Sequence, residues 1–99
     1  MIVEFESELF RWDARDDASW YFVAVPAELS GLIREIPRPV RGFGAVAVEA
    51  TVGRSVWRTS VFPDAASGCY HLPVKRAVRL GEGIDEGDTV TVTLAVRDA

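Results

Sequence analysis

Hydrophobic and polar residues alternate along most of this chain. In Ile2 to Trp12, Val3, Phe5, Ser7 and Leu9 share one face while Glu4, Glu6 and Glu8 share the other. That period of two predicts a half-buried strand. The same period predicts strands over Ser19 to Val25, Ala45 to Val52, Ser55 to Phe62 and Thr89 to Arg97, with a short one over Cys69 to Leu72. From Pro26 to Ile36 the period changes. Leu29, Leu32, Ile33 and Ile36 form one apolar helical stripe. Pro26 suits the first helical position, where its missing N–H would be unpaired anyway. Glu28 and Arg34 complement the helix dipole, and Pro37 and Pro39 stop the helix. A second short helix is predicted from Pro73 to Leu80, ended by Gly81 and Gly83. Turn residues separate these elements. Asp13, Asp16 and Asp17 predict an acidic loop, Gly53-Arg54 a tight hairpin, and Glu86-Gly87-Asp88 the turn into the last strand. Gly42 and Gly44 bracket Phe43 in a loop, and Pro63 to Gly68 form another.

The order strand, Pro, helix, Gly-containing turn, strand occurs twice, once around Pro26 and once around Pro73. Aligning the two prolines sets Tyr70 opposite Val23 and Leu80 opposite Ile33. About six strands and two short helices then give a mainly β fold, a small double-split barrel with two pseudo-repeated halves in one chain. The 99 residues form one domain, 1–99. A net charge of −4 disfavours general binding to nucleic acid. A single cysteine, Cys69, excludes an intrachain disulfide. No apolar run approaches the roughly 20 residues of a membrane helix, and no signal peptide opens the chain, so a cytoplasmic location is expected.

Candidate chemistry concentrates near the second helix. Lys75 and Arg76 occupy its expected first turn, where carboxylates are usual, and Arg79 follows Lys75 by four residues on the same face. Arg58 is the odd basic residue on a strand face shared with Val56, Ser60 and Phe62. Arg58, Lys75 and Arg79 are therefore the candidate site for a phosphate or carboxylate. The alternative is that these cations pair with Glu82, Asp85, Glu86 or the N-terminal glutamates. Trp20, Trp57 and Tyr70, with Tyr21 nearby, could line a ligand pocket at a barrel end or simply fill the core. Trp12 could cap the barrel. His71 is the only histidine, and Cys69 and His71 lack a third ligand, so neither a metal site nor a cofactor is expected. No catalytic residue is assigned, because no positioned acid–base pair can be read from the chain.

Tyr70 to Val92 is similar to the swapped-hairpin half of AbrB- and MazE-type barrels, through Leu72, Pro73, Arg79, Leu80, Ile84, Gly87, Asp88 and Val90. There two chains interleave and bind DNA, so the resemblance implies the barrel more than the DNA. Phe5 to Val96 resembles more closely the bacterial domain-of-unknown-function family 1905. The shared motifs are FVAVP (22–26), the strand at Gly44, WRTSVFP (57–63), YHLPVKRAVR (70–79) and GDTV (87–90). Some members of that family carry a C-terminal segment resembling bacteriocin-protection proteins, which is not expected here. The function expected is a non-catalytic binding or accessory module that recognises a small anionic ligand or a protein partner. It is expected to be a monomer rather than a dimer, with no membrane and no nucleic-acid partner. The alternative is an AbrB-like DNA-binding regulator or antitoxin-like module.

Overall fold

A computed structural model describes residues 1–15, 18–36 and 44–97. Six strands close into an antiparallel barrel: β1 (Ile2–Arg15), β2 (Ala18–Ala24), β3 (Val46–Val52), β4 (Ser55–Pro63), β5 (Tyr70–Pro73) and β6 (Thr89–Val96). Helix α1 (Ala27–Arg34) follows β2, and α2 (Arg76–Glu82) follows β5. The strand order around the barrel is β1-β2-β5-β4-β3-β6. Inward residues alternate with outward ones, as a small filled barrel requires. Val46, Val48, Ala50 and Val52 of β3 and Val90, Val92, Leu94 and Val96 of β6 all lie in the core. Gly53 adopts φ +58 at the β3–β4 turn, a left-handed conformation that favours glycine.

The barrel order has a hidden two-fold. Exchanging β1, β2 and β3 with β4, β5 and β6 respectively maps every neighbour pair onto another neighbour pair. Two backbone hydrogen bonds obey the same exchange: Val25 N–H donates to Tyr70 O, and Val74 N–H donates to Tyr21 O, both at 2.8 Å. The equivalent residues are thus Tyr21 with Tyr70, Val25 with Val74, and Pro26 with Lys75. The proline alignment of the sequence is two residues out of step. Pro26 caps α1, whereas Pro73 ends strand β5.

That offset moves α2. It begins at Arg76 with Lys75 as its N-cap, not at Pro73. The Val74–Tyr21 bond carries the ladder one residue past Pro73, so the chain stays extended longer than expected. The helix ends at Gly83, φ +66, after passing through Gly81. Strand β1 also runs longer than expected. It pairs Asp13 with Ser19 across the hairpin, so Asp13 belongs to a strand, while Asp16 and Asp17 lie outside the described residues. Pro37, Pro39, Gly42 and Phe43 also lie outside them. In α1, Ile33 and Ser30 are fully buried, and Leu32 points outward. Ser30 explains the rotation. Its hydroxyl donates to Val25 O at 2.9 Å and accepts from Tyr70 N–H at 3.0 Å, so it must lie on the inner face.

Candidate functional site

Strands β4 and β5 join through two residue pairs, Phe62 with His71 and Pro63 with Tyr70. Earlier in β4, residues Trp57 to Thr59 face β2 across a gap that α2 bridges. The gap forms a groove of about 1040 Å³. Trp20 and Tyr21 line it from β2, Trp57 and Arg58 from β4, and Lys75, Arg76 and Arg79 from α2 and its cap.

The three cations singled out in the sequence thus surround one groove, with Arg76 as a fourth. The Arg79 guanidinium lies over the Tyr21 ring, 3.7 Å from its centroid, and its Nε donates to Val74 O at 3.3 Å. Arg79 is the two-fold equivalent of Ser30, and both side chains serve equivalent strand-end carbonyls. In the first half that position is sealed by a buried serine. In the second it opens into the groove through an arginine. Arg58 is 71% exposed and lies 4.0 Å from Glu49, a partner absent from the expected set. Lys75, Arg76 and Arg79 make no ion pair among the described residues. Two of the acidic residues expected to neutralise them, Glu82 and Asp85, accept other hydrogen bonds. Glu82 accepts from Ser55 Oγ at 2.6 Å and from Arg54 N–H, while the Asp85 carboxylate accepts from Glu86 N–H at 2.7 Å. Asp85 is the one carboxylate on the groove wall among the described residues. With only seven residues, α2 adds little dipole, so any attraction for anions comes from the side-chain charges.

Trp20 and Trp57 line the groove as expected. Tyr70 does not. It is 2% exposed in the core, with the Arg34 guanidinium 5.5 Å above its ring. Its two-fold equivalent, Tyr21, takes the groove position. Period-two reading alone could have shown this, because Tyr70 shares a face with the core residue Leu72.

A second cavity, about 480 Å³, lies on the outer face of β1, β2, β5 and β4. Sequence reasoning did not assemble it. Phe10, Trp12, Trp20, Phe22, Phe62 and His71 line it, with Asp64 at one edge. Trp12 thus lies outside the barrel, 57% exposed, rather than capping it. His71 packs edge-on against Phe10 at 5.2 Å, and its Nε2 is 3.9 Å from Asp64 Oδ2. Hydrogen bonds from the Ser67 hydroxyl and then its N–H hold the Asp64 carboxyl below its ordinary value, and His71 adds to this. Cys69 precedes β5, which begins at Tyr70 rather than at Cys69, and its Sγ is 3.9 Å from Ser67 O. No described helix is long and apolar enough to cross a membrane.

A closed six-stranded barrel with two short helices, notched at one seam by a cationic groove, defines a small β-barrel domain. The chain belongs to the family described as Domain of unknown function (DUF1905), which matches residues 5–94. No curated protein matches the chain.

Proposed function

We propose that the protein is a non-catalytic binding module whose α2 groove takes a small anion, a phosphate or a carboxylate. One observation carries this reading. Arg58, Lys75, Arg76 and Arg79 line a single groove that holds, among the described residues, one carboxylate, Asp85. Such an excess of one sign in a walled cleft raises the local concentration of the opposite ion. The groove is also large enough for a metabolite-sized ligand. On this reading the domain works as a monomer, in the cytoplasm, and without a cofactor.

The test is an amide-resolved NMR titration with inorganic phosphate and acetate at low salt. Saturable shifts on Arg58, Lys75, Arg76 and Arg79 are expected. The charge-neutral variant Arg58→Gln/Lys75→Gln/Arg79→Gln should abolish them while keeping the fold. Absence of saturable shifts in the parent protein sinks the proposal. The alternative, DNA binding by likeness to AbrB-type barrels, has the net charge of −4 against it. A mobility shift at low salt that vanishes as salt rises would favour it instead.

A further inference from the structure

The groove and the outer aromatic cavity adjoin and together make a two-part trough. Trp20 and Pro73 line both. The cationic part has little free aromatic surface of its own. Arg79 covers the Tyr21 ring, and Trp57 is 7% exposed. Trp20 differs. It is 53% exposed, stands at the junction, and is stacked nearly parallel with Phe22, the planes 12° apart. Beyond that pair the trough is apolar until His71 and Asp64 at its far edge.

This polarity specifies more than an anion. We infer that the ligand is a small planar aromatic molecule bearing a phosphate or carboxylate. Its anionic group sits among Lys75, Arg76, Arg79 and Arg58, and its ring lies on Trp20 and Phe22. The inference rests on the anion-binding reading above and extends it to the ligand's other end. Charge complementarity fixes the direction. The Asp64 carboxylate at the aromatic end repels an anion, so the reversed pose is disfavoured. A hydrogen-bond donor on the far edge of the ring would meet Asp64, whose carboxyl is held below its ordinary value by hydrogen bonds from Ser67. Aromatic stacking is tolerant of ring identity, so the class is set by shape and charge rather than by a single compound.

The experiment compares three probes by NMR and tryptophan fluorescence: 1-naphthyl phosphate, 1-naphthol and inorganic phosphate. Naphthyl phosphate should bind at least about tenfold tighter than either other probe, the gain expected of one good stacking contact. Its shifts should cover Trp20 and Phe22 as well as Lys75 and Arg79. Trp20→Ala should remove the advantage of naphthyl phosphate over inorganic phosphate, both measured on the same variant. Lys75→Gln should weaken both. If naphthyl phosphate binds no tighter than phosphate, the inference fails and the anion site stands. If neither phosphate compound binds, both fall. A thymidine decamer binding tighter than naphthyl phosphate would overturn the small-ligand assignment in favour of single-stranded nucleic acid.

Discussion

Ser30 and Arg79 occupy equivalent positions in the two halves, yet removing them should have unequal costs. Ser30 is fully buried, and so are Val25 and Tyr70, the residues it bridges. Ser30→Ala takes the hydroxyl from both Val25 O and Tyr70 N–H without giving water a route to either. Each buried polar group deprived of its partner costs about 1–3 kcal/mol, so the change should destabilise by about 2–6 kcal/mol. For a domain of this size that lowers the Tm by at least about 8 °C. Arg79→Ala also removes a side chain from a strand-end carbonyl, Val74 O, and from the Tyr21 ring. Here the groove admits water to replace it. The loss should be about 1 kcal/mol, comparable to a partly exposed cation–π contact. Urea denaturation followed by far-UV circular dichroism, with unchanged m-values, measures both. Ser30→Ala should leave phosphate binding intact, whereas Arg79→Ala should weaken it. Equal stability losses within about 0.5 kcal/mol would refute the contrast between a sealed half and a wet one.

Three further outcomes are expected. Gly53→Ala should destabilise by about 1–2 kcal/mol in thermal melts, because φ is +58 and the added methyl meets the Glu82 carboxylate that Ser55 holds; an unchanged Tm would count against it. Glu49→Gln frees the exposed Arg58 and should change stability by less than about 1 kcal/mol while tightening phosphate binding, read by calorimetry; weaker binding would remove Arg58 from the site. The Asp64 carboxyl titrates lower in the folded state than the ordinary 3.8, so its stabilisation is present above that value and is lost as pH falls through the depressed one. Asp64→Asn should therefore lose less of its urea midpoint than the parent between pH 6 and the acid range, and equal losses would contradict the assignment.

The strands were legible because each buries one face. The alternation in β3 and β6 predicts both their existence and their inward residues, and Gly53-Arg54 predicts the hairpin between β3 and β4. The start of α2 was not legible. Pro73 looks like a helix opener, and only the long-range bond from Val74 to Tyr21 shows that the strand continues. The same holds for Asp13, whose place in a strand depends on its partner Ser19. In α1, a stripe counted from apolar residues alone sets Leu32 inward, since nothing local reveals that Ser30 is needed at Tyr70. Of the cationic trio, Lys75 and Arg79 were readable by their four-residue spacing and Arg58 as the odd basic residue on a strand face. Their gathering with Trp20 and Trp57 depends on the barrel closing through the short β4–β5 seam. The outer aromatic cavity draws on four strands and so has no signature in any one of them.

The exchange symmetry of the strands has a consequence for how the chain folds. Of the six seams, β2–β5, β4–β3, β3–β6 and β6–β1 join one half to the other. Neither half can complete its own hydrogen bonding, so neither should persist as a folding intermediate. The β1–β6 seam pairs Ile2 with Ala95, contacts between nearly opposite ends of the described chain. Such closure carries a large entropy cost before it is rewarded, so the barrel should assemble slowly for its size and in a single cooperative step. Its core amides should then exchange with solvent only through global unfolding.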